Sequence, residues 1–220
     1  CSRVWRDLDA VFAARCLAAA ERAYRAARRH PDLLARDMFD GGGAYGDLDV
    51  RDEFYWAATE LFLATGEDSY RAEAGHYRAQ LNSWRPVFWA NTELLAELSA
   101  SLAEGQVADT AEVTIINTAR RYQEEMEATG YLYPLTPEQI TWGSNANLLN
   151  RALVMAAAHD IAPSNGFRDG VVHALDYLLG RNPLDQSYVA GHGERAMQHP
   201  HHRFWANGAD AEYPPAPPGA

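Results

Sequence analysis

The stretch from Gly180 to Trp205, GRNPLDQSYVAGHGERAMQHPHHRFW, decides how the chain is read. It carries four of the eight histidines, His192, His199, His201 and His202, among arginines, prolines and glycines, and it has no helical apolar stripe. A segment this polar would strand its hydrogen-bonding groups if buried, so it faces water, a ligand or both. Pro200 biases His199 toward extended backbone. If the extended run continues to Arg203, side chains alternate, placing His201 and Arg203 on one side and His202 on the other. A planar guanidinium beside an imidazole suits a ligand rich in hydroxyl and ring oxygens. Two other readings stand beside this one. The imidazole spacing of His199, His201 and His202 fits zinc, though no distant partner matches it, and a hydrolase using that metal is one alternative. A polar surface loop without function is the other.

Working outward, the rest of the chain reads as helices. From Asp9 to Arg29, Phe12, Cys16, Ala20, Tyr24 and Ala27 recur at three- and four-residue steps in an alanine-rich run that ends at His30-Pro31. Asp49 is placed to cap a second helix carrying Phe54, Ala57, Ala58, Leu61 and Phe62. Gly66 closes it, and Asp68 opens a third through about Gln80, with Tyr70, Ala74 and Tyr77 facing inward. Helices are further expected over Asn91–Ala103, Asp109–Ala128, Asn145–Ala158 and Phe167–Leu179, one leading helix and three hairpins, with no convincing strand. The hairpin period is roughly 50 residues, as in stacked helical architectures. The longer loops, Phe39–Leu48, Asn82–Ala90, Thr129–Ser144 and Arg181–Tyr213, fall at the same end of each hairpin and hold most of the glycines, tryptophans and clustered polar residues. A binding face made of loops follows from that arrangement.

With 47% hydrophobic and 11% aromatic residues, the 220 residues bury a sizeable core as one domain. No run reaches the ~18 apolar residues of a membrane helix. A net charge of −11 argues against nucleic acid or an anionic membrane as partner, and is compatible with a neutral polysaccharide. Cys1 and Cys16 do not suggest a disulfide framework, and Cys16 reads as a small core residue. The sequence has no initiator methionine or signal peptide and ends in PPAPPGA, as expected of a piece of a longer chain.

The run from Ser187 to Arg203 resembles the histidine signature of glycoside hydrolase family 9, the inverting endoglucanases and related β-1,4-glucanases. Ser187, Val189, Gly193, Arg195, Pro200, His201 and Arg203 stand at the signature's spacing, while Ala190 replaces its usual serine, threonine or valine. The resemblance extends over essentially the whole chain. It implies an all-α fold, part of an (α/α)6 barrel of helical hairpins, with residues 1–220 forming the central and later part of one catalytic domain. It also implies secretion and a β-glucan substrate; the sequence does not fix an oligomeric state, and a monomer is expected of the complete protein. His201 and Arg203 become the active-site pair that binds the sugar flanking the scissile bond, Tyr188 and Arg195 support the loop, and His202 is structural.

Two further clusters gain a role. In GDLDVRDEFYW, Asp47, Asp49, Asp52 and Glu53 place four carboxylates within seven residues. Such a cluster is solvated, caps a helix or holds a cation, and acids in a first helical turn account for Asp49 and Asp52 without any metal. The resemblance implies structural calcium on Asp52 and Glu53, with backbone carbonyls near Leu48 and Asp49, Asp47 as a weaker ligand, and a further one near Asn91. In ITWGSNANLLN, Trp142 opens a helix. It is either a loop anchor buried in the core or a flat face for a pyranose ring, and the resemblance favours the sugar platform. Asn145 and Asn147 are expected to line the same cleft, Tyr188 joins the substrate-binding set, and Trp84, Trp89 and Trp205 are lesser platforms. Inverting hydrolysis requires a carboxylate base and a carboxylic acid. The family's aspartate pair and N-E-x-A-like stretch match nothing in this sequence, so no acid or base is assigned, and the fragment alone is expected to be inactive. A carbohydrate-binding helical toroid without catalysis is the remaining alternative.

Overall fold

The computed structural model describes residues 1–34, 46–81 and 85–220. Among these, eight α-helices are found: α1 (Ser2–Trp5), α2 (Ala10–Arg29), α3 (Arg51–Thr65), α4 (Asp68–Arg78), α5 (Glu93–Ala100), α6 (Gln106–Glu127), α7 (Ser144–Ile161) and α8 (Asn165–Leu178). A 3-10 turn spans Pro137–Gln139, and extended pairing among the described residues is confined to the isolated bridges Phe88–Asn91 and Ser187–Ala196. The glycines at 41 to 43, Asn82 and Trp84 lie outside the described residues. The chain divides into two compact units, Cys1–Ile115 and Ile116–Ala220, with the division inside α6.

In the first unit, Asp9 caps α2 by accepting the Phe12 N–H at 2.9 Å, and Arg28 and Arg29 occupy its negative end. The α3–α4 hairpin turns on Gly66, whose φ of 74° is left-handed and whose N–H donates to the Phe62 carbonyl at 2.7 Å. Helix α3 starts one residue later than the sequence suggests. Val50 is the cap, and Asp49 accepts the Arg51 N–H at 3.3 Å from just outside. Tyr24, Phe54, Tyr55, Ala58, Leu61, Ala74 and Ala96 form the core, with Phe54 stacked on Tyr77 at 5.0 Å. Helix α1, which has too few residues to leave a periodic trace, lies against α2 and α3. Trp5 meets Phe12 edge-on at 5.3 Å, and Arg3 pairs with Glu60 at 2.9 Å. Cys16 is not a core residue: it is half-buried, with its sulfur 3.0 Å from that of Cys1.

The second unit is organised by α7 and α8, which pack together along Leu148, Ala152, Ala174 and Leu178, with Tyr133 and Leu135 completing the cluster. One charge is buried beside this core. Arg151 is 2% exposed, and its guanidinium donates to the Pro134 carbonyl at 2.9 Å, pairs with Glu125 and lies 4.5 Å over the Tyr122 ring. A buried guanidinium is tolerable only with such partners. Here they fix the segment leading to Pro137–Gln139, and so the approach to Trp142.

Candidate functional site

The loop after α8 is held by its own backbone. Asn182, which is buried, donates from Nδ2 to the carbonyls of Tyr177 (2.7 Å) and Gln186 (2.8 Å) and accepts the Leu184 N–H on Oδ1 at 3.1 Å. No role was read for it from the sequence, although Asn-Pro is a turn-initiating dipeptide and offered the signal. Ser187 is buried and pairs on both sides, its N–H donating to the Arg195 carbonyl at 3.0 Å and its carbonyl accepting from Met197 at 2.9 Å. Gly193 completes the turn at φ +91°, where a Cβ would lie 3.1 Å from that of Ser187, so a side chain there meets both strain and a neighbour. Tyr188 is half-buried. Its N–H donates to the Leu178 carbonyl at 2.8 Å and its ring lies 6.1 Å from Tyr177, tying the loop to α8. Arg195 pairs with Asp185 at 2.9 Å on the surface.

Beyond Pro200 the backbone bends at His201 and again over residues 203–205, in place of the regular extended run that alternation assumed. The cause is His202. Its Nδ1 accepts the N–H groups of both Phe204 and Trp205 at 3.1 Å, and its ring stacks on Trp205 at 4.1 Å. That stack occupies one face of Trp205. His201 turns elsewhere, with its ring 6.4 Å from Trp142 and edge-on to it. His201, His202 and Arg203 are all exposed.

Trp142 is 86% exposed, which removes the core-anchor reading within this chain. Gly143, at φ 77°, turns the backbone into α7, leaving the indole ahead of the helix. Asn145 and Asn147 stand half-buried in the first turn of α7, and the Asn147 Oδ1 is buried with no hydrogen-bond partner. An exposed indole with an imidazole at its edge is an apolar face beside a polar group, which is what a pyranose ring presents in return. Trp89, 45% exposed next to Phe88, belongs to the first unit.

The carboxylate cluster is also in the first unit. Asp52 is fully buried at the start of α3, and one oxygen accepts the N–H (2.6 Å) and hydroxyl (3.2 Å) of Thr92, with Arg85 at 4.0 Å. The segment after Asn91 therefore reaches Asp52. The other Asp52 oxygen, one oxygen of Glu53 and one of Asp47 are buried without partners. Burial, with Asp52 and Asp47 beside it, pushes the Glu53 carboxyl up to about 7. Asp49 differs, because its carboxylate chelates Arg51 at 2.5 and 2.7 Å and is held low by that charge. Only its backbone carbonyl remains to serve a cation. Among the described residues no group of three or more His, Cys, Asp or Glu is gathered as a metal site, and this holds for Asp47, Asp49, Asp52 and Glu53 as well as for the histidines near Pro200.

The model of glycosyl hydrolase family 9 matches residues 1–220, and the chain belongs to that family. Its fold class is accordingly all-α, part of an (α/α)6 barrel. The chain is 38% identical to a cellulose 1,4-beta-cellobiosidase of Acetivibrio thermocellus, an alignment covering 99% of this chain and 28% of that protein. It is 34% identical to endoglucanase C of Cellulomonas fimi, covering 100% and 21%. A single-mutant thermostable endoglucanase from Alicyclobacillus acidocaldarius superposes with a TM-score of 0.83 at 29% identity, over 97% of this chain and 41% of that one. The chain thus spans between a fifth and two fifths of the length of these proteins.

The bend at His202 is open to direct measurement. Removing an acceptor shared by two backbone N–H groups costs on the order of 1 kcal/mol. His202→Ala should therefore speed amide hydrogen exchange at Phe204 and Trp205 by about fivefold, while His201→Ala leaves both protected. Equal effects from the two variants would contradict the assignment of the bend to His202.

Proposed function

We propose that the protein to which these residues belong hydrolyses β-1,4-glucosidic bonds in cellulose or a related β-glucan with inversion of configuration, and that residues 1–220 are part of one catalytic domain. The observation that carries this reading is the exposed Trp142 ring with His201 at its edge, in a chain of family 9 whose relatives include a cellobiosidase and an endoglucanase. A carbohydrate-binding toroid without catalysis is not favoured, because those relatives are named for hydrolysis.

Inverting hydrolysis places a base-activated water on one face of the sugar and an acid on the other, with carboxyl groups ~6.5–9.5 Å apart. No residue of this chain is assigned either role. The chain's contribution is binding and orientation. Trp142 stacks on a sugar ring, Asn145 offers an amide at the head of α7, and His201 and Arg203 donate to hydroxyl or ring oxygens of the sugar flanking the scissile bond. Tyr188 acts from below, keeping the loop on α8. Secretion fits a polymeric substrate that cannot enter a cell, and no helix of the described residues is long and apolar enough to cross a membrane. A monomer is proposed for the complete protein.

Calcium belongs to the same proposal, as a structural ion. The unpartnered buried oxygens of Asp52, Glu53 and Asp47 fit a hard cation, which takes carboxylate and carbonyl oxygens together. Asp52 and Glu53 would hold it, with carbonyls near Leu48 and Asp49. Its chemistry there would be charge neutralisation beside the buried Asp52 and the half-buried Glu53.

Two measurements test this reading on the protein with its flanking sequence. His201→Ala and Arg203→Ala should each lower kcat/KM on a soluble cellulose derivative by ~10²-fold or more, and His202→Ala by far less. Equal losses at His201 and His202 would refute the assignment. Chelation should lower Tm and calcium restore it, a native-state ligand at a hundredfold excess over Kd stabilising by about 2.7 kcal/mol. Asp52→Asn should abolish that response, and an unchanged response would remove Asp52 from the site.

A further inference from the structure

The thiols of Cys1 and Cys16 are not used by the reading above, and they meet between the start of α1 and α2. Their sulfurs are 3.0 Å apart, about 1 Å beyond a disulfide bond length. Cys1 is exposed and Cys16 half-buried, so Cys1 is the more accessible thiol of the pair. Helix α1 is four residues long and has no buried residue. Apart from the thiols, it is held by Trp5 against Phe12, by the Arg3–Glu60 pair and by Arg6 donating to the Ala64 carbonyl at 3.3 Å. Both cysteines, with Leu17, Tyr24 and Leu61, line an apolar cavity of about 870 Å³ in the first unit, so whatever fixes α1 also fixes one wall of that cavity.

We propose that Cys1 and Cys16 are a disulfide-forming pair that staples α1 to α2 in an oxidising medium. The oxidant is a small-molecule disulfide of the glutathione type. The exposed Cys1 thiolate attacks one of its sulfurs, forming a mixed disulfide and releasing one glutathione thiolate. The Cys16 thiolate then attacks the Cys1 sulfur, closing the protein disulfide and releasing the second. Two protein thiols are oxidised, one glutathione disulfide is reduced to two thiols, and the two protein protons pass to the released thiolates. The bridge spans a fifteen-residue separation, which restricts the unfolded chain and stabilises the native one.

The test equilibrates the protein, with its flanking sequence, in reduced and oxidised glutathione, traps free thiols by alkylation and maps the peptides by mass spectrometry. A cross-linked peptide pair containing Cys1 and Cys16 is expected under oxidising buffer. Tm should fall by about 5 °C or more when the bridge is reduced, a difference absent from both Cys1→Ser and Cys16→Ser. In Cys16→Ser the reaction should stop at a glutathione adduct on Cys1. Full alkylation of both thiols under oxidising buffer would overturn the proposal, as would glutathione adducts on each without the cross-link.

Discussion

The constraint on which most of this structure depends is the burial of charge. Asp52, Glu93, Glu97 and Arg151 are almost wholly removed from solvent, and an uncompensated buried ion costs several kcal/mol. The partners that compensate them shape the fold. Glu97 accepts from Tyr55 (2.9 Å) and Arg78 (2.8 Å), joining α3, α4 and α5 at one point, and burial still raises its carboxyl above the usual range. Glu93 accepts both the backbone and the side chain of Arg85 at 3.0 Å, which brings the chain before α5 back over its first turn. Asp52 is the member left half satisfied, with Thr92 on one oxygen and nothing on the other. That unsatisfied oxygen is the observation behind the proposed calcium.

In the second unit the same constraint serves the proposed binding surface. Arg151 fixes the Pro134 carbonyl, and Asn182 fixes those of Tyr177 and Gln186. Two loops, one before α7 and one after α8, are thereby held from beneath while their outer residues stay exposed. Trp142 and His201 meet there. Groups held rigidly before a ligand arrives lose less freedom on binding it, which is how the buried half of these loops would serve the proposed site.

Much of this was legible in the sequence. The helix at Ala10–Arg29 follows from its apolar steps, with Asp9 its cap and not its first residue, and the Gly66 turn from a residue able to take positive φ. The other helix ends moved by a few residues, as local signals at frayed termini allow. The Ser187–Arg203 spacing located the loop but not its shape. Alternation separated His201 from His202 on the assumption of extended backbone, whereas the separation comes from a bend in which His202 captures two backbone N–H groups. Periodicity carries no trace of a ring accepting from residues two and three ahead. Nor could it reveal that Arg151 lies beneath Pro134, or that Cys16 faces Cys1, because both depend on where separate segments are packed.

The central claim is that the Trp142–His201 surface receives the glucan chain. It is tested most directly by titrating a soluble cello-oligosaccharide into the complete protein and into its Trp142→Ala and Trp205→Ala variants, with Tm recorded alongside. Trp142, exposed and outside the core, should lose ~1 kcal/mol or more of binding with Tm unchanged. Trp205, stacked on His202, should disturb Tm more than affinity. An unchanged affinity in Trp142→Ala would contradict the account.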